Sequence, residues 1–315
     1  MRIAHLSDLH YTHLTWNPFR LFSKRILGNL NWLLTRHSVF CYEQLDTLPQ
    51  LFQELGVDLI LLAGDLTTTA LKEEYKKAEH LIQQFSSPWL AVPGNHDHYT
   101  YRSFKNRHFY RFFSTPPSAA PLTLVKEGIE LHRIAPNWWL IALDTARATN
   151  PYSSQGLFTE EQEAHLQKLL LKIPAGDSVI CLNHYPFFPQ PSFRHNLQRK
   201  EALQALLEKS PQVRLYLQGH THRHTIADLQ EKNLPILLDS GSCVQKQKGT
   251  WNLIDLMPDH CAISAYQWRD GTWTPFRKEI IPWKRKQGPN GMEKDSISNA
   301  QDVANAAQAR QDTSF

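Results

Sequence analysis

Short apolar runs that each stop at a polar cluster constrain this chain more than any other feature. Residues 3–7, 57–63, 89–92, 179–182 and 213–217 are brief and apolar enough for buried strands. They lead into Asp8-Leu9-His10, Gly64-Asp65, Gly94-Asn95-His96-Asp97, Asn183-His184 and Gly219-His220-Thr221-His222. Helical spacings fill the intervals: Leu45, Leu48, Leu51, Phe52 and Leu55 within 41–55, then 73–85, 159–172 and 197–207. Thr159 with Gln162 three residues on predicts a capping box at the third of these helices. Strands alternating with helices predict an α/β fold, and in open α/β sheets ligands gather beyond the carboxyl ends of the strands. Asp8 and His10 stand two apart, as do His220 and His222, and in an extended segment such pairs point to one side. A carboxylate and an imidazole on one side make half of a metal site. Each cluster alone reads more simply as a polar strand end; a chance origin for five in this order is hard to sustain.

Composition narrows the class. At 315 residues and 41% hydrophobic, the chain can bury one large core or two smaller ones. Its formal charge of +4 lacks the concentrated basic face of a nucleic-acid binder, so no nucleic-acid partner is expected. Cys41, Cys181, Cys243 and Cys261 show no C-x-x-C spacing and fit reduced thiols in a cytoplasmic protein. Charge and histidine near residue 1 argue against a signal peptide, and no apolar run is long enough to predict a membrane-spanning helix.

Three stretches stand apart. Within 11–42, Phe19, Phe22, Ile26, Leu30 and Leu33 fall on one helical face, with Arg20, Lys24 and Asn31 on a flank and no acid between Phe19 and Arg36. A basic amphipathic helix of this kind predicts contact with a membrane surface or lipid, Phe22 and Ile26 included; packing on the domain's own core is the other reading. The 99–113 stretch carries Arg102, Lys105, Arg107 and Arg111 among aromatics just after the Asn-His-Asp turn. These cations, with Arg194, are candidates for holding substrate phosphate, although a surface helix would look the same. Strands are predicted near 236–238, 251–256, 263–268 and 272–276 as an antiparallel sheet closing the domain. From 284 to 315 the composition turns polar, which predicts a disordered tail.

The series D-x-H, G-D, G-N-H-D, H and G-H-x-H resembles the calcineurin-like metallophosphoesterase superfamily across residues 1–283. That resemblance implies a four-layer α/β/β/α sandwich and a hydrolase with two divalent ions at the strand ends. It assigns Asp8, His10, Asp65 and His222 to one ion. Asp65, Asn95, His184 and His220 go to the other, with His96 as general acid oriented by Asp97. Mixed oxygen and nitrogen ligands suit Mn²⁺ first, and Fe or Zn²⁺ after it, better than Mg²⁺ or Ca²⁺. The interval from Asp8 to Asp65 is wider than the family usually shows, by roughly the length of the amphipathic insertion. Within the superfamily the chain therefore looks most like the UDP-2,3-diacylglucosamine pyrophosphohydrolases of lipid A synthesis. That implies a lipid-linked phosphate substrate, release of UMP, and peripheral attachment to the inner membrane. The alternatives are a soluble phosphodiesterase of cyclic nucleotides or glycerophosphodiesters, and a metal-binding scaffold without catalysis. The intact ligand set and His96 weigh against the scaffold.

Overall fold

The computed structural model describes residues 1–15, 25–26 and 39–284. Most of the amphipathic segment, Phe22 among it, and the tail from 285 lie outside the described residues.

The chain opens with strand β1 (Arg2–Leu6), followed by α1 (Glu43–Asp46), α2 (Leu48–Glu54), β2 (Leu59–Leu62), α3 (Lys72–Ile82), β3 (Trp89–Ala91) and α4 (Tyr101–Lys105). Then come β4 (Ile129–Ala135), β5 (Trp138–Leu143), β6 (Gly156–Leu157), α5 (Glu160–Lys172), β7 (Ser178–Leu182), β8 (Leu197–Gln198), α6 (Lys200–Glu208) and β9 (Val213–Gln218). Strands β10 (His224–Ala227), β11 (Ile236–Ser240), β12 (Thr250–Leu256), β13 (His260–Arg269) and β14 (Thr272–Pro282) complete it.

Two six-stranded sheets result, ordered β14-β13-β12-β1-β2-β3 and β10-β11-β9-β7-β5-β4. Side-chain alternation explains how they stack. Ile3 of β1, Leu61 of β2 and Leu90 of β3 face Ile180 of β7 and Leu215 of β9 in one buried cluster between the sheets. Their neighbours Ala4, Ile60 and Ala91 turn the other way, into a cluster with Leu48 and Phe52 of α2 and Tyr75 of α3. Val179 and Tyr216 likewise turn outward, against Leu166 of α5 and Leu203 of α6. Helix, sheet, sheet, helix is the four-layer α/β/β/α sandwich.

Local chemistry accounts for most element ends. Thr159 accepts from the Gln162 amide and Gln162 Oε1 accepts from the Thr159 amide (3.1 and 3.0 Å), so the capping box starts α5. The single helix expected over 41–55 is divided into α1 and α2 at Thr47, with Pro49 in the first turn of α2, where its missing N–H costs nothing. The aromatic stretch 99–113 is not one surface helix either. It is the five-residue α4 and a 3₁₀ turn at Phe109–Arg111, because Phe109 and Phe113 are drawn fully into the core. The C-terminal strands also divide differently. β12, β13 and β14 extend the first sheet antiparallel from β1, whereas β11 pairs parallel with β9 in the second sheet. No helix among the described residues is long and apolar enough to cross a membrane.

Candidate metal centre

β1, β2, β3, β7 and β9 all end at the same edge of the sandwich, and the five polar clusters meet there. Their convergence is not the work of extended backbone. Asp8, His10, Asp65, His220 and His222 all have positive φ, between 44° and 71°. Each is a left-handed kink that a residue with a Cβ adopts only when its surroundings enforce it. The kinks bring Asp8, His10 and His222 together, with ligand atoms within 4.8 Å of one another; Asp8, Asp65 and His184 form a second such group and His10, Asp65 and His96 a third.

Hydrogen bonds fix the ring orientations. A carbonyl only accepts, so the nitrogen facing it carries the proton. His184 Nδ1 faces the Ala63 carbonyl at 2.6 Å, and His220 Nε2 faces the His195 carbonyl at 2.9 Å. The remaining nitrogens, His184 Nε2 and His220 Nδ1, then point their lone pairs at each other across 3.2 Å. On the other side His10 Nε2 and His222 Nε2 lie 2.9 Å apart, with Asp8 Oδ1 at 3.4 and 3.0 Å. Asp65 Oδ2 stands between the pairs, 3.4 Å from His184 Nε2 and 3.9 Å from His10 Nε2. Facing lone pairs repel unless a proton or a metal cation lies between them. The buried Asn95 Oδ1 has no hydrogen-bond partner among the described residues. A donor set of carboxylates, imidazoles and one amide oxygen, with Asp65 shared, fits two divalent ions. Such ions, when bound, would clamp phosphate oxygens and activate water for in-line attack.

Charge agrees. Burial would raise both carboxylates, but the His222 and His10 imidazoles hold Asp8 well below the usual carboxylate range, and His184 and His96 do the same to Asp65. Burial would lower His184, yet the Asp65 carboxylate lifts it to about 9, while burial and the His184 charge hold His220 down at about 3. The metal-free protein thus keeps a proton on His184 at neutral pH. Metal uptake must expel it, so affinity is expected to rise with pH toward 9. Calorimetry in buffers of different ionisation enthalpy should show the released proton; binding heats independent of buffer would contradict it. The sign for stability is the reverse. A value raised from 6.5 to about 9 gives the metal-free protein stability that is complete below 6.5 and lost as pH climbs through 9. The metal-loaded protein should not show that loss.

His96 sits on the solvent side of this centre. Its Nδ1–H donates to the Thr68 carbonyl at 2.6 Å, and its amide donates to Asp65 Oδ1 at 2.7 Å. Asp97 does not orient that ring, contrary to the expectation from resemblance. Its carboxylate accepts from the amides of Leu66, Thr67 and Gly94 and from Thr67 Oγ1, at 2.9–3.2 Å, and so ties the β2 loop to the β3 loop. Thr68 supplies the orientation instead.

A cavity of about 790 Å³ opens over Asp65, Asn95 and the histidines, and its far wall carries Tyr152, Arg194 and Arg223. Arg194 is the one cation of the expected phosphate set that lines it. Arg102, Lys105, Arg107 and Arg111 do not, because Phe109 and Phe113 turn that stretch toward the core. Ile26 is 53% exposed and also stands off the cavity. Sequence reasoning missed Thr68, His195 and Arg223, whereas Tyr99 lies in the aromatic 99–113 stretch expected beside the site. Tyr99 stacks on His96 with centroids 5.5 Å apart, and His195 receives a hydrogen bond from Ser154 or gives one to it at 2.6 Å. Arg223 alone had a signal, its place directly after His222.

The sequence pattern of the family described as Calcineurin-like phosphoesterase matches residues 1–224, and the chain belongs to that family. It is a metal-dependent phosphoester hydrolase. The chain is 28% identical over 231 residues to a 3',5'-cyclic-nucleotide phosphodiesterase of Nostoc sp., covering 72% of this chain and 78% of that one. It is 26% identical over 190 residues to the 3',5'-cyclic adenosine monophosphate phosphodiesterase CpdA of Escherichia coli, covering 60% and 62%. It is 30% identical over 173 residues to a probable glycerophosphodiester phosphodiesterase GpdQ of Arcobacter nitrofigilis, covering 53% and 57%. The chain thus spans about three fifths of the length of the last two. A dimetal phosphatase from Danio rerio shares the fold, with a TM-score of 0.64 at 13% identity over 90% of this chain and 99% of that one. These relatives bear the names of phosphodiesterases and a phosphatase; none bears that of a lipid A pyrophosphohydrolase.

Proposed function

We propose that this chain is a Mn²⁺-dependent phosphodiesterase of small diesters, with cyclic nucleotides and glycerophosphodiesters as its substrate classes. The observation that carries it is the pair of facing imidazole couples, His10–His222 and His184–His220, with Asp65 between them at the floor of the cavity. In this reading Asp8, His10, Asp65 and His222 hold one ion, and Asp65, Asn95, His184 and His220 the other. Because Thr68 holds Nδ1–H, His96 presents Nε2 to the scissile phosphate; as the imidazolium it gives its Nε2 proton to the leaving oxygen and is left as the neutral Nδ1–H ring. A cavity of this volume suits a small ligand. The names of the Nostoc, CpdA and GpdQ relatives support the substrate classes.

A second reading is a lipid-linked diphosphate such as UDP-2,3-diacylglucosamine, taken from a membrane surface. One observation favours it: the basic amphipathic segment is joined to the centre, since Tyr42 donates to the His10 carbonyl at 2.8 Å. A panel of cyclic AMP, a glycerophosphodiester, bis(p-nitrophenyl) phosphate and UDP-2,3-diacylglucosamine in detergent, with Mn²⁺, separates the two. Turnover of the small diesters is expected, with His96→Gln slower by about a hundredfold. UMP release without turnover of small diesters would give the second reading first place, and no hydrolysis at all would sink both.

A further inference from the structure

Described residues from 11 to 42 touch the centre and its supporting loop at several points. Phe40 stacks on the His10 ring with centroids 5.6 Å apart and planes at 13°. Tyr42 holds the His10 carbonyl. Glu74 Oε1 accepts from the His13 amide at 3.1 Å, and Lys77 Nζ donates to the Thr12 carbonyl at 2.8 Å. Arg25 reaches inward as well. Its Nε donates to the Thr69 carbonyl at 3.0 Å and its Nη2 to the Ala70 carbonyl at 3.1 Å.

Those two carbonyls belong to a buried loop with several duties. Thr67 binds Asp97, and Thr68 Oγ1 donates to the His10 carbonyl at 2.8 Å. The Thr68 carbonyl receives the His96 Nδ1 proton, and Ala70 sits at a φ of 56°, a left-handed conformation unfavourable for alanine. Glu74 holds the loop from its amide side, accepting from the Thr69 and Leu71 amides, and Arg25 holds the Thr69 and Ala70 carbonyls. The guanidinium is a rigid fork with parallel donors, suited to gripping two successive carbonyls. We infer that Arg25 is a positioning residue for catalysis: by clamping Thr69 and Ala70 it fixes the Thr68 carbonyl, and through it the tautomer and direction of the His96 ring. Arg25 thereby supports the site from within the amphipathic stretch. This rests on the phosphodiesterase reading only for the role of His96.

The test uses the full chain loaded with Mn²⁺. Arg25→Met keeps the apolar stem and removes the fork; Arg25→Lys can reach one carbonyl. With bis(p-nitrophenyl) phosphate, kcat of the methionine variant is expected to fall about 10- to 100-fold, the size of a lost outer-shell contact. KM, metal content and Tm should stay at wild-type values, and the lysine variant should recover part of kcat. The imidazole Nδ1–H proton resonance of His96, recorded on the diamagnetic Zn²⁺-loaded protein and assigned against His96→Gln, should broaden or vanish in Arg25→Met. Unchanged kcat and resonance would overturn the inference, as would kcat, metal content and Tm falling in parallel. If the methionine variant does not fold, Arg25→Lys decides alone: a shifted resonance with reduced kcat at wild-type Tm supports it, and wild-type values overturn it. If the wild type hydrolyses no phosphodiester, the proposed function fails, and the resonance comparison still decides whether Arg25 positions His96.

Discussion

Asp65→Ala is expected to empty both metal positions at once and to slow phosphodiester hydrolysis by about a thousandfold or more. A bound ion contributes several kcal/mol to the transition state, and about 1.4 kcal/mol is tenfold in rate. The reason lies in the single carboxylate between two imidazole couples, within 3.4 Å of His184 and 3.9 Å of His10. Its other oxygen receives the His96 amide at 2.7 Å, so the same change also releases the loop that carries His96. Asp8→Ala, by contrast, should weaken only the site of His10 and His222. Metal content by plasma emission reads the difference: an Asp65→Ala protein retaining one full equivalent would refute the shared role.

Gly94→Ala should come close to the same loss through a single methyl group. A Cβ at this position would fall on Asp65 Oδ1 and within 2.6 Å of the Asp65 amide nitrogen. Neither atom can retreat, because the Gly94 amide is itself held by Asp97 at 3.0 Å and Asp97 also binds the loop after Asp65. Overpacking of this kind costs about 2 kcal/mol. A fall in Tm together with loss of metal from both positions is therefore the expected result. Wild-type metal content in a stably folded Gly94→Ala protein would mean that the β3 loop adjusts without disturbing Asp65.

The fold was legible where one residue type does one job. Apolar runs gave the strands that carry the clusters, and Thr159 with Gln162 marked a helix start that the structure keeps. The meeting of the five clusters was legible as well, because each follows a strand and parallel strands end on one edge. What could not be read is anything set by a partner distant in sequence. Asp97 braces backbone because Thr67, thirty residues earlier, lies beneath it. The orientation of His96 depends on a carbonyl, and a main-chain oxygen has no letter in a sequence. Arg102, Lys105, Arg107 and Arg111 misled because proximity in sequence to His96 was taken for proximity in space, while Phe109 and Phe113 drew that stretch toward the core. The left-handed kinks at Asp8, His10, His220 and His222 were hidden for the same reason: tertiary contacts enforce them against local preference.

The place of β1 in the first sheet has a consequence for synthesis. β1 is synthesised long before its antiparallel neighbour β12, with Ile3 opposite Ile254. At the usual pace of elongation, one side of that nascent strand waits roughly 13–50 s for its mate. Asp8, at its end, waits nearly as long for His220 and His222. The centre therefore cannot be completed before His220 and His222 are made, and one edge of β1 stays open to wrong pairing until β12 arrives.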